Sequence, residues 1–220
     1  MLPRTLEPEV MDTAEEARDY DAMDHAAVNR VFVDDFVAFA GTVESPILDV
    51  GTGTAQIPIE LCCRVAGCQV TAIDLADHML AVGRENVRRA SLEDRLRLER
   101  WDAKEMPCGD GAFAAAISNS IAHHIPEPVA VFIEMVRVVR PGGALFVRDL
   151  LRPDDEATLR HLVDLHAAGA NTHQCTMFAD SLHAALSLAE VQSLVRQLGF
   201  PADAVRQTTD RHWTWAARKR

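Results

Sequence analysis

No run of about 18 consecutive apolar residues occurs in the chain, so no transmembrane helix is predicted. Residues 1–16 are too polar for a signal peptide, and the expected compartment is the cytoplasm. Cysteine is scarce and scattered. Cys62, Cys63, Cys68, Cys108 and Cys175 form no C-x-x-C pair and no metal-ligand spacing, which points to reduced, mostly buried thiols. Positive charge is in deficit, with 22 Lys and Arg against 33 Asp and Glu and a net charge of −11. Such a balance is unfavourable for neutralising phosphates along DNA or RNA, so no nucleic-acid partner is expected. The one basic cluster, Arg218-Lys219-Arg220, reads as a solvated tail. Internal repeats, low-complexity stretches and linkers between two cores are also missing.

What is present is a 220-residue chain with 48% hydrophobic and 25% charged residues, the profile of a soluble globular protein. The whole of 1–220 is expected to form a single domain. Residues 12–40 read as a helical N-terminal cover, with Val28, Val31, Phe32, Phe36 and Phe39 recurring at helical spacing. Short apolar runs follow as predicted strands at 47–50, 70–73, 96–98, 114–118 and 144–147, separated by predicted helices over 55–65, 78–90 and 129–139. This alternation argues for an α/β fold, a doubly wound, mostly parallel sheet with helices on both faces. "RPGG" at 140–143 reads as a Pro-Gly turn that ends a helix and feeds the next strand. Beyond Asp149 the alternation breaks. Residues 150–186 read as a substrate-lid insertion, and Ser187 with Glu190 forms a capping box for a helix that stops at Gly199. The closing "RHWTWAA" alternates as a last strand.

The stretch "ESPILDVGTGTAQIPIEL" from Glu44 carries the functional signal. A dinucleotide fingerprint fails there, because Gln56 occupies its last position. Asp49 is a second objection. A carboxylate about 4 Å from a phosphate would cost on the order of 4 kcal/mol at an effective dielectric near 20. The same acid suits a ligand with a cationic end. S-adenosylmethionine carries an ammonium, a sulfonium and a carboxylate but no phosphate. The turn offers it an acid at Asp49, backbone without Cβ bulk at Gly51 and Gly53 around Thr52, and helix N–H groups near Gln56 for the carboxylate. Asp74 ends the strand "VTAID", where a doubly wound fold sets an acid against ribose hydroxyls. Asp102, after the third strand, is placed to accept from an adenine amine while Ala103 offers its backbone.

Asp49-Val-Gly-Thr-Gly-Thr-Ala55, Asp74-Leu75 through Met79, Asp102-Ala103, "SNSIAHHIPEP" from Ser118 and "RVVRPGG" from Arg137 together resemble class I S-adenosylmethionine-dependent methyltransferases. The nearest likeness is to the small-molecule, quinone-methylase-like branch, over residues 20 to 217. The resemblance implies a seven-stranded Rossmann-like methyltransferase fold with an antiparallel final pair. It implies S-adenosylmethionine as donor, S-adenosylhomocysteine as product and a small-molecule methyl acceptor as partner. Tyr20 would close over the cofactor's methionine end, and Leu75, Met79, Asn119 and Ser120 would line the rest of its site. Ala55 stands where the family often has a third glycine, and Ala114 where an acid often follows Phe113.

At the end of the fourth strand, "SNSIAHHI" lacks the acid-or-Asn, Pro-Pro, aromatic pattern of amino-methylating relatives. It also lacks the clustered acids that hold magnesium in catechol-type relatives, so no metal is expected. His124 is the first candidate for a general base toward a hydroxyl or thiol acceptor, with His123 the second. The competing reading packs one ring and uses the other to orient a loop. In the insertion, His161, His166, His173, Cys175 and His183 show no helical ligand pair and read as solvated or acceptor-lining groups. Three alternatives stay open: methylation at the carbon of a quinone or lipid-type acceptor, a thiol-dependent arsenic-type methyltransferase, and a cofactor-binding scaffold without turnover.

Overall fold

The computed structural model describes residues 2–10 and 12–220. Two N-terminal helices, α1 (Ala14–Ala22) and α2 (Ala26–Ala40), precede β1 (Ile47–Val50), α3 (Gln56–Arg64), β2 (Val70–Asp74), α4 (Asp77–Arg89) and β3 (Leu96–Arg100). Then come β4 (Phe113–Asn119), α5 (Val129–Val138), β5 (Val139–Leu150), α6 (Glu156–His166), α7 (Thr172–Ala184), α8 (Leu188–Gln197), β6 (Val205–Gln207) and β7 (His212–Arg218). The strands make one seven-stranded sheet in the order β3-β2-β1-β4-β5-β7-β6. β1 pairs in parallel with β2 and β4, β2 in parallel with β3, and β6 antiparallel with β7. The expected mixed, mostly parallel sheet is therefore the one found, down to its antiparallel last pair. Among the described residues no helix is long and apolar enough to cross a membrane.

The chain packs as two compact units. The first comprises Met1–Glu9, Ser120–Val129 and Arg148–Trp215, the second Val10–Asn119, Ala130–Val147 and Ala216–Arg220. In the second unit the core runs from Ile47, Ala72 and Ile117 on the strands to Leu61 and Leu80 on the helices. Phe146 of β5 receives Phe32 edge-on, with ring centroids 5.3 Å apart. In the first unit Leu150, Leu159, Leu162 and Leu182 form one cluster. Trp213 and Trp215 are fully buried on β7, and Phe200 meets Trp215 edge-on at 5.3 Å. Their role is sheet packing, which suits large rings on alternate positions of an inner strand. The capping box of Ser187 and Glu190 forms as the sequence indicates.

Three details differ from the sequence reading. Helix α2 buries Phe32, Val33, Phe36 and Ala40, whereas Val28 and Val31 are 42% and 50% exposed. Within 150–186 the helix that the sequence predicts over 154–168 is present as α6, and the difference lies in the polar stretch beyond it, which forms a second helix, α7, started by a capping box of Asn171 and Gln174. "RPGG" is not a turn but the first part of β5, entered directly from α5. Pairing with the distant chain end explains it: Gly142 N donates to Lys219 O at 2.7 Å, and Lys219 N to Gly143 O at 3.0 Å. A Cβ on Gly143 would lie 2.6 Å from both Ala114 O and Val139 Cγ1, so the strand approaches its neighbours only without a side chain there. Gly143→Ala is expected to destabilise by about 1–3 kcal/mol, the usual cost of overpacking. A urea melt with an unmoved midpoint would show that the sheet absorbs the methyl.

Candidate functional site

In the second unit, three acids sit at or just beyond successive strand ends. Asp49 is the third residue of β1, in register with Ala72 of β2 and Ile117 of β4. After Val50 the chain turns through Gly51, Thr52 and Gly53 into α3. Gly53 has a φ of +53°, and a Cβ there would meet Tyr20 Cε1 at 3.6 Å, so the Tyr20 ring lies over this turn. Ala55 also takes a left-handed backbone, φ 64°, while fully buried. An L-residue pays about 1 kcal/mol for that conformation, which is why glycine suits this position better. Helix α3 begins with no side-chain hydrogen bond at its cap, a helix start whose chemistry suits an anionic group.

The charges around the turn are unbalanced. Asp49 is 2% exposed, and burial pushes its carboxyl up to about 7. Thr52 offers partial relief, and the Asp74 charge pushes the same way as burial. Even so, Asp49 Oδ2 and Thr52 Oγ1 are buried without a well-formed hydrogen bond. Asp74 Oδ2 accepts from Gly53 N at 2.8 Å and its Oδ1 from Ala76 N at 2.9 Å, which locks the turn to the end of β2. Burial raises the Tyr20 hydroxyl above its usual range, and Asp74, Asp49 and Asp21 add to the effect. A concentration of negative potential with an orphaned carboxylate oxygen fits a cationic ligand group and repels a phosphate.

The flanking residues have structural partners. Gln56 Nε2 donates to Asp21 Oδ1 at 3.2 Å, and Asn29 donates to Gln56 Oε1 at 3.2 Å. Asn86 donates to the same Asp21 oxygen at 2.7 Å and to Thr54 O at 3.1 Å. The Gln56 amide thus ties α1 and α2 to the start of α3. Met79 is buried beside Ala17, Ala76 and Tyr20, and Leu75 O accepts from Arg100 Nε at 3.3 Å. Asp102 Oδ1 accepts from Lys104 N at 2.8 Å, with the Lys104 ammonium 3.2 Å away. The loop that carries Asp102 and Ala103 is pinned by α5. Glu134 accepts from Met106 N at 2.8 Å, and Arg137 donates to Met106 O and Cys108 O at 2.9 and 2.7 Å. Asn119 closes β4, and Ser120 adopts a φ of 59° as its N–H donates to Arg148 O.

The histidines belong to the first unit. Asp149, 1% exposed, accepts from His123 Nδ1 at 2.5 Å, from Ala122 N at 2.5 Å and from Leu150 N at 2.6 Å. Burial works against a charge on His123, but the Asp149 carboxylate outweighs it and raises the ring above the usual range. His124 stacks on His123 with ring centroids 4.1 Å apart. Glu7 comes in from the N-terminal segment: its Oε1 lies 3.1 Å from His124 Nδ1 and 3.5 Å from His123 Nε2. Arg4 holds that segment in place by donating to the carbonyls of Ala184, His123, Ile125 and Pro126 at 2.7 to 3.1 Å. Glu7 and Asp149 were not singled out in the sequence. A lone acid inside the apolar run "ALFVRDLL" was the available signal for Asp149; nothing local marks Glu7. In the insertion, His166 pairs with Asp210 at 2.6 Å, and the Cys175 thiol donates to the carbonyls of Ala167 and Ala170 at 3.9 Å. Of the two cysteines on α3, Cys62 is buried and Cys63 exposed.

Residues 48–147 match the family described as a methyltransferase domain. The 27-O-demethylrifamycin SV methyltransferase of Amycolatopsis mediterranei is 28% identical over 176 residues, 79% of this chain and 61% of that protein. A ubiquinone biosynthesis O-methyltransferase of Xanthomonas campestris pv. campestris is 33% identical over 128 residues, 57% of this chain and 52% of the relative. The chain spans 41% to 61% of the length of the first curated relatives that it matches. A SAM-dependent methyltransferase from Aquifex aeolicus shares the fold, with a TM-score of 0.68 at 17% identity, over 95% of this chain and 100% of that one.

Proposed function

The chain belongs to the class I S-adenosylmethionine-dependent methyltransferases, and from that premise we propose that it methylates a hydroxyl group of a small-molecule acceptor. The observation that carries this reading is the turn 49–53, where a buried acid with an unpartnered oxygen, an uncapped helix start and a covering tyrosine meet. S-adenosylmethionine, when bound, supplies an electrophilic methyl group on a sulfonium. Asp49 would hold its ammonium, the α3 N–H groups its carboxylate, Asp74 its ribose, and Asp102 with Ala103 its adenine. The Tyr20 ring would cover the methionine chain and keep water from it.

A hydroxyl acceptor must be held within about 3–3.5 Å of the methyl and must lose its proton as it attacks. His123 and His124 follow Asn119, the last residue of β4, by four and five residues in the chain, and to these imidazoles we assign that proton. The first of them is oriented by a buried carboxylate, the arrangement that keeps one ring nitrogen open to take a proton. Two relatives named for oxygen methylation, the rifamycin and ubiquinone enzymes, support the choice of a hydroxyl.

Isotope-labelled cofactor incubated with a small-molecule extract tests the reading. Label should appear in a small molecule as a methyl ether identified by mass spectrometry. Binding of S-adenosylhomocysteine with no labelled product would identify a scaffold, and label on carbon or nitrogen would move the acceptor class. His124→Ala is expected to lower kcat by 10²–10⁴-fold while S-adenosylhomocysteine affinity stays within about threefold. Normal turnover in that variant would leave His124 as a ring that shapes its loop.

A further inference from the structure

We propose that Glu7, His123 and His124 form a binding site for one divalent transition-metal ion, zinc by its donor set. Glu7 Oε1, His123 Nε2 and His124 Nδ1 all lie within 4.8 Å of one another, the one such triad of His, Cys, Asp or Glu among the described residues. The expectation of a metal-free protein rested on spacing along the chain, and this triad is assembled across it.

The two separations made by Glu7 match those of donors that share one ion. Zinc at 2.0–2.2 Å from nitrogen and oxygen donors places neighbouring ligands of a tetrahedron about 3.3 Å apart. The observed values are 3.1 Å for Glu7 to His124 and 3.5 Å for Glu7 to His123. At 3.1 Å a proton shared between Glu7 and His124 should give a hydrogen bond. Yet Glu7 Oε1 and His124 Nδ1 are both buried without a well-formed hydrogen bond. Buried donor atoms in that state have capacity for a shared cation.

The surroundings are those of a built site. His123 is 3% exposed, and its Nδ1 is fixed by Asp149 at 2.5 Å. A carboxylate there sets the tautomer of the neutral ring, so that once the ion displaces the ring's proton Nε2 presents a lone pair to it. Asp149 is in turn held by two backbone N–H groups. The Arg4 guanidinium is directed at four carbonyl oxygens and keeps the Glu7 segment in position. Two imidazoles and a carboxylate are borderline donors, suited to zinc more than to magnesium or calcium. Three protein ligands leave a fourth position open, as in catalytic zinc sites. The inference deepens the reading above, since an ion here would sit among the groups assigned to the acceptor's proton. A given histidine nitrogen cannot hold the ion and take that proton at once.

The test needs neither cofactor nor acceptor. The chelator-treated protein is titrated with zinc by calorimetry and with cobalt by visible absorption. One ion per chain and a cobalt spectrum of tetrahedral N/O coordination are expected. Glu7→Gln and His123→Ala should abolish the spectrum, with circular dichroism showing both variants folded. Asp149→Asn should weaken zinc binding by 10–100-fold through loss of ligand orientation. His166→Ala and His183→Ala should leave it unchanged. No saturable one-ion binding, or binding that survives Glu7→Gln, overturns the site. Methyl transfer by protein that binds no zinc would remove the metal and keep the function, and zinc binding without any methylated product would do the reverse.

Discussion

Asp49→Asn is expected to stabilise the free protein at pH 8 and to weaken S-adenosylhomocysteine binding by roughly 10- to 150-fold. Both effects follow from one buried charge. Burial lifts the Asp49 carboxyl from its ordinary 3.8 to about 7, with only partial relief from Thr52 and Oδ2 left without a well-formed hydrogen bond. Between those two values the folded chain keeps a proton that the unfolded chain has released, so stability falls as pH rises through that window. Above pH 7 the charge is present in both states and the full cost is felt, on the order of 4 kcal/mol as an upper bound. Asparagine removes the charge, so its gain in melting temperature should be largest at pH 8 and vanish near pH 4. Binding runs the other way, because a lost hydrogen bond between two charged groups is worth about 1.5–3 kcal/mol. In the parent protein, affinity should climb with pH through about 7 and then level off, and in the variant that slope should be gone. A variant less stable than its parent at pH 8 would show that the charge is already compensated before any ligand arrives.

Asp49 was legible in the sequence because the turn that contains it is local. A short apolar run, an acid, two glycines and a helical pattern occupy adjacent positions, and each acts on its neighbours. Asp74 and Asp102 share that property, being at or just past strand ends that alternation alone locates. The sheet followed from the same alternation, and the capping box at Ser187 from a three-residue spacing. What escaped the sequence was non-local. "RPGG" carries every local mark of a turn, but backbone bonds to Lys219 draw it into β5. The exposed Val28 and Val31 share a helical stripe with Phe32 and Phe36, and only tertiary packing decides which side of a wide stripe is covered. Gln56 falls within the motif, yet its amide bonds to Asp21 and Asn29 of the N-terminal helices.

The histidine cluster marks the limit most sharply. Adjacent histidines after the fourth strand can be read from the chain. The carboxylates that give them their chemistry come from the N-terminal segment and from the far end of β5. Spacing rules find ligand sets carried on one helix or loop, and no such rule reaches from Glu7 to His123.

Asp149→Ala is expected to cost about 3–5 kcal/mol of stability and to lower kcat by 10²–10⁴-fold. Its carboxylate is 1% exposed and accepts three hydrogen bonds of 2.5 to 2.6 Å, from His123 Nδ1, Ala122 N and Leu150 N. The His123 charge holds this acid below the usual carboxylate range despite complete burial. Removing one partner of such a pair leaves an uncompensated buried group, the costly half of the exchange. Two backbone donors are stranded with it, and amide exchange at Ala122 and Leu150 should accelerate accordingly. Asp149→Asn separates the roles: its amide oxygen still accepts, but its NH₂ faces one of the three donors, so its stability should fall between alanine and the parent. Turnover in that variant should drop nearly as far as in alanine, because an amide cannot carry the negative charge that orients His123 and favours its protonated form. S-adenosylhomocysteine affinity should move by less than about threefold in both variants. A urea-melt difference below about 1 kcal/mol for Asp149→Ala would mean that water can reach and satisfy all three donors, which burial this complete argues against.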